Sequence, residues 1–122
     1  MPFRTTNQLP RPRRSAQPLP ARVRQGLGLK QPEFARLTGY SIRAVAGWEG
    51  GKPLGPSARQ RLTEADRLQH ALARVMAPSA IGQWLTTPND AFEGQTPLQV
   101  IERGQIDRLW RMIHQLESGA AT

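Results

Sequence analysis

Covalent or metal chemistry needs nucleophiles, bases or ligands at workable spacing, and this sequence offers few. It has no Cys and two His, His70 and His114, neither of them beside a carboxylate cluster at metal-binding spacing. None of its Ser, His, Asp or Glu residues forms a nucleophile with an activating base. The expectation is a chain that is not an enzyme, with no catalytic residue, no metal and no cofactor. The side chains that do form a pattern are the basic ones. Residues 1 to 62 hold 12 basic and 2 acidic side chains, whereas residues 63 to 122 hold 5 and 7. The formal charge of +8 therefore comes wholly from the first half. Lysine and arginine that neutralise phosphates release counterions, so nucleic acid is the partner such a half is built to meet. The near-neutral second half suits a separate task.

Length and composition narrow the setting. A chain of 122 residues holds one domain or two very small ones, too little for a large multi-domain enzyme. The missing cysteines exclude disulfide scaffolds and thiolate sites and suit a reducing cytosol, so a cytoplasmic location is expected. No apolar run approaches the roughly 18 residues of a membrane span. Residues 1–20 carry five prolines, four arginines and no acid, a composition that sustains neither a helix nor a core and reads as a basic arm.

Beyond the arm, the elements that must position any functional side chain are helical. From Ala21, Val23 and Leu27 stand four apart, and Gly26 and Gly28 weaken the end of a first short helix. A second opens at Lys30-Gln31-Pro32-Glu33, where proline and an acid suit the first turn. Phe34, Ala35 and Leu37 are its inward residues, and Gly39 supplies the turn. Ser41 is a ready N-cap for a third helix over residues 42–49, with Val45 and Trp48 inward, stopped by Gly50-Gly51. Residues 57–62 read as a short helical piece, with Thr63 and Asp66 at capping-box distance to start another. An apolar stripe then runs through Leu62, Ala65, Leu68, Leu72, Val75 and Met76. Pro78-Ser79 breaks it. Trp84-Leu85 closes a short helix, Pro88-Asn89-Asp90 is a turn signal, and Thr96-Pro97 caps a helix that Gly104 ends. Ile106, Leu109, Trp110, Ile113 and Leu116 recur at three and four residues, the mark of a final amphipathic helix. Trp84, Phe92 and Trp110 are expected in the core.

The string LGLKQPEFARLTGYSIRAVAGWEGGKPLGP resembles the Xre/Cro-type helix-turn-helix family in Gln31, Ala35, Gly39, Ser41, Trp48-Glu49, Gly51 and Lys52. Residues 80–119 are similar to the C-terminal toxin-binding domain of the Xre/MbcA/ParS antitoxins. The carriers are Trp84-Leu85, Pro88-Asn89, Phe92, Gly94, Thr96-Pro97-Leu98 and the last amphipathic helix ending near Gly119. Residues 101–106 depart from that pattern in being shorter and less acidic.

The resemblance implies an all-α fold: an Xre/Cro-like helix-turn-helix bundle over residues 21–77, followed by a small helical toxin-binding domain over residues 78–122. It implies the antitoxin of a type II toxin–antitoxin system, which neutralises a RES-type, NAD-degrading toxin from the adjacent gene and represses its own operon at promoter DNA. The alternative is a stand-alone helix-turn-helix repressor whose C-terminal half dimerises. For DNA the resemblance implies Gln31 at a phosphate and Ser41, Ile42, Arg43, Ala46 and Gly47 facing the groove, with Lys52 near phosphate. Arg43 is the expected base reader, since a guanidinium gives guanine O6 and N7 two parallel hydrogen bonds. The toxin is expected to meet Arg108, Arg111, Glu117, Ser118 and Gly119. A two-fold homodimer reading half-sites about 34 to 36 Å apart is the expected assembly.

Overall fold

The computed structural model describes residues 17–119. Residues 1–16 of the expected arm and Ala120 to Thr122 of the tail lie outside them. Seven α-helices and two single 3₁₀ turns make up the described chain, with no strand among the described residues. They are α1 (Leu19–Gly26), α2 (Gln31–Thr38), α3 (Ile42–Glu49), α4 (Pro56–Val75), α5 (Ile81–Leu85), α6 (Pro97–Glu102) and α7 (Ile106–Glu117). The expected all-α class is observed.

Most helix ends follow from local chemistry. Ser41 is extended and its Oγ accepts the Ala44 N–H at 3.0 Å. Thr96 and Gln99 cap each other reciprocally, through Gln99 N to Thr96 Oγ1 at 3.0 Å and Thr96 N to Gln99 Oε1 at 2.8 Å, which satisfies two otherwise unpaired first-turn donors. The Glu33 carboxylate accepts the Lys30 N–H at 2.8 Å. Gly39 ends α2 with φ 81°. α1 opens at Leu19, two residues ahead of Ala21, because Pro20 falls in its first turn, where a missing N–H costs nothing.

One expectation is corrected. Residues 56–75 form a single helix, so Thr63 caps nothing; its hydroxyl donates to the Arg59 carbonyl at 3.0 Å inside α4. Ala58, Leu62, Ala65, Leu68 and Leu72 are all buried along one face. That stripe runs without interruption through the cap-like residues, and tertiary burial outweighs a local capping pattern.

α4 is the spine on which both halves of the chain pack: α1 and α2 lie against it from one half and α7 from the other, while α2 also touches α6. Val23, Leu27, Phe34 and Val45 from the first half and Ile81, Leu85, Leu98, Val100, Leu109 and Ile113 from the second belong to one continuous buried cluster. Two further ties join the halves. Arg36 meets Glu102 in a two-pronged ion pair at 3.0 and 2.8 Å. Gly28 and Gly82 place backbone against backbone: a Cβ on Gly82 would lie 2.3 Å from the Gly28 carbonyl oxygen. Only a residue without a side chain fits there.

Candidate nucleic-acid interface and partner surface

α3 presents two unlike faces. Val45 is fully buried, and Trp48 is buried edge-on to Tyr40 with ring centroids 5.1 Å apart. On the other side Ser41, Ile42, Arg43 and Ala46 are exposed and Gly47 is half-buried. Ile42 is 50% exposed beside them. The structure thus brings five of the seven predicted DNA-facing residues to one surface of one helix, and Lys52 lies just beyond its end.

The remaining one, Gln31, has an internal task. Its Nε2 donates to Glu49 Oε1 at 3.1 Å, and Arg24 holds the same carboxylate through Nε at 2.6 Å and Nη2 at 3.0 Å. A further Arg24 nitrogen, Nη1, donates to the Leu29 carbonyl at 3.0 Å. Glu49 therefore fastens α1 and α2 to the end of α3. The Arg24 guanidinium holds the Glu49 carboxyl below the usual carboxylate range, with the Gln31 amide helping and burial opposing. Gln31 keeps one amide N–H for another acceptor.

These pairs also correct the charge arithmetic. Arg24 and Arg36 are neutralised inside the molecule by Glu49 and Glu102. Among the described residues of the first half, Arg22, Lys30, Arg43, Lys52, Arg59 and Arg61 are exposed and make no ion pair. The positive surface is thinner than the sequence total but unopposed around α3.

In the second half, α7 runs alongside α4 and is fastened at both ends of its charged side. Arg108 donates to both Glu93 oxygens at 2.8 and 3.1 Å and lies 5.4 Å from the centre of the Phe92 ring. Arg111 pairs with Asp107 at 3.0 Å. Glu117 pairs with Arg74 in the last turn of α4. Ser118 donates through Oγ to the Gln115 carbonyl at 3.1 Å, and the Gly119 N–H meets the Leu116 carbonyl at 3.3 Å. Of the charged residues assigned to a toxin, Arg111 alone is mostly exposed; the side chains of Arg108 and Glu117 are 28% and 29% accessible.

Residues 70–119 match the family described as the antitoxin Xre/MbcA/ParS C-terminal toxin-binding domain. The mycobacterial cidal antitoxin MbcA of Mycobacterium tuberculosis is 29% identical over 94 residues, which span 76% of this chain and 83% of that protein. A probable mycobacterial cidal antitoxin of the same organism is 30% identical over 80 residues, spanning 66% of this chain and 69% of its own length. The crystal structure of the M. tuberculosis MbcT–MbcA toxin–antitoxin complex contains a chain of the same fold, with TM-score 0.68 and 26% identity over 83% of this chain and 92% of that one. The chain belongs to the Xre/MbcA/ParS antitoxin family.

Within this antitoxin the family match begins at residue 70, inside α4, rather than at residue 80 where the sequence motif starts. The packing supplies a reason: Ala71 and Leu72 are buried in the shared core and Arg74 holds Glu117, so the last turns of α4 belong structurally with α7. Three apolar residues stand differently from their expected places. Trp84 and Trp110 are half-buried, whereas Phe92 is 2% exposed. Leu116, on the apolar stripe of α7, is 47% exposed, because the final turn of that helix reaches the end of its α4 support. Periodicity assigns a residue to a face but does not say where the supporting helix stops. Among the described residues no three His, Asp or Glu side chains group closely enough to hold a metal, and no helix is long and apolar enough to cross a membrane.

Proposed function

We propose that this antitoxin neutralises a cognate toxin from the adjacent gene by direct binding through residues 78–122, and represses its own operon by binding promoter DNA with residues 21–77. The observation that carries the toxin assignment is the shared fold with a chain of a solved toxin–antitoxin complex, over 83% of this sequence. On the antitoxin, the exposed Arg111, the exposed Leu116 and the half-buried Trp110 and Met112 supply the mixed aromatic, aliphatic and arginine surface that protein partners use. Arg108, Glu117, Ser118 and Gly119 border that surface. The RES-type, NAD-degrading class of the toxin follows from the family resemblance.

The DNA reading rests on α3. Ile42, Arg43 and Ala46 form an exposed face, with Arg43 and Lys52 free of acidic partners among the described residues. Arg43 reads guanine, Ile42 offers apolar contact to a thymine methyl, Ser41 faces the groove beside them, and Gln31 and Lys52 lie toward the phosphates. A homodimer places two such helices on a palindrome.

Co-expression of the tagged chain with the neighbouring reading frame tests the toxin half. A co-purifying complex, cell survival only when this chain is present, and preserved cellular NAD are expected. A chain that binds its promoter tightly but captures no neighbour and rescues no cell is a stand-alone repressor instead.

A further inference from the structure

Gly47 is a helix-interior residue on the exposed face of α3, where alanine is the better helix former. Its backbone is not in the left-handed region, so conformation does not demand glycine. The structure supplies another reason. α3 ends in a Schellman turn: Gly51 takes φ 103°, its N–H donates to the Trp48 carbonyl at 3.1 Å, and the Lys52 N–H donates to the Gly47 carbonyl at 2.9 Å. This turn brings the aliphatic stem of Lys52 back over residue 47. A Cβ there would lie 3.1 Å from Lys52 Cδ, 3.8 Å from Cγ and 3.9 Å from Cβ. Gly47 also stands one helical turn from Arg43, so the stem crosses the face that Arg43 occupies. Neither cation has an acidic partner among the described residues.

From this geometry we propose that Gly47 is a positioning residue: it is the seat that lets the Lys52 stem lie across α3 and fixes its ammonium as a phosphate contact beside Arg43. The inference rests on the DNA reading above and adds to it a residue that need touch no nucleic acid.

The test is binding of the full chain and its variants to a mixed-sequence duplex of about 30 base pairs, over about 50 to 200 mM salt, followed by fluorescence anisotropy. Lys52→Ala is expected to weaken binding about three- to tenfold and to lower the slope of log affinity against log salt by about 0.9, the loss of one phosphate contact. Gly47→Ala, whose methyl obliges the flexible Lys52 stem to give by a few tenths of an ångström or turn away, is expected to reproduce part of both changes while its thermal midpoint stays at or above that of the unaltered chain. In the Lys52→Ala background, Gly47→Ala is expected to change nothing further. Unchanged affinity and salt slope for Gly47→Ala would overturn the proposal, because the Lys52 stem would then need no seat; additive losses, or a loss with the salt slope unchanged, would overturn it too, because the methyl would then act on DNA directly. If the unaltered chain fails to bind any duplex, the DNA reading falls and takes this inference with it.

Discussion

Arg24 and Arg43 are the same amino acid on two different helices, and their partners separate them. Arg24 is locked to Glu49, so its loss is expected to act on folding; Arg43 is exposed and makes no ion pair among the described residues, so on the proposed DNA reading its loss is expected to act on recognition. Arg43→Ala should cost about 1 to 3 kcal/mol of specific promoter binding, measured by anisotropy, and leave toxin capture in a pull-down unchanged. Equal loss of both activities would assign the residue to the fold. Glu49→Gln should destabilise the chain by about 1 to 3 kcal/mol at neutral pH, because it leaves Arg24 without its counter-charge. The pH dependence has a definite sign. The folded Glu49 carboxyl is held below its unfolded value by Arg24, so its contribution is full above the unfolded carboxylate range and disappears as pH falls through the lowered folded value. Urea midpoints of the two proteins should therefore converge in acid; a constant gap across pH would dissociate the effect from ionisation.

At the scale of elements, what was legible in the sequence was local. Ser41, Gly39 and Thr96-Pro97 announce their helix ends because the interacting atoms lie within a few residues of each other, although the reciprocal Gln99 bond to Thr96 emerged only in the structure. The apolar stripe of α7 is legible for the same reason. Thr63 mimicked a cap because its meaning depended on whether Ala58 and Leu62 found a surface to cover, which only the packed structure decides. Arg24, Gln31 and Glu49 were visible as residue types, but their meeting spans 25 and 18 positions, and no spacing rule reaches that far. The contact of Gly28 with Gly82 is the extreme case. Two glycines far apart in sequence give no signal until their backbones meet. Gly82→Ala should lower the thermal midpoint markedly, an effect of about 1 to 3 kcal/mol or more, since neither backbone can yield as a flexible side chain would. By comparison Gly26→Ala should be mild, because its added Cβ would meet only the movable end of Gln69. Parallel melts of the two variants, followed by circular dichroism, would reverse this reading if they lost equal stability.

At the scale of the whole molecule, the motifs describe two tasks and the packing describes one body. The buried cluster runs from Val23 to Ile113 without a seam at residue 78. Unfolding should therefore be a single transition in which far-ultraviolet dichroism and tryptophan fluorescence coincide, although Trp48 lies in one half and Trp84 and Trp110 in the other. Two separated transitions would restore the picture of independent domains. Truncation after Leu109 removes Ile113, which is 1% exposed, and the Glu117 tie to α4. Toxin capture should be abolished, and DNA binding should weaken too, because the deleted turns belong to the core that also supports α2. Retained toxin capture in that truncation would remove α7 from the partner surface.

The Gly28–Gly82 contact also limits how such a protein can change its partners. A chimera that joins the first half of this chain to a relative's second half must carry a glycine opposite Gly28, or the graft will not seat, however well its own motifs are preserved. On the proposed division of labour, a new combination of operator and toxin can come from exchanging halves only between relatives that keep this glycine pair; otherwise it must be reached by surface substitutions on an intact body.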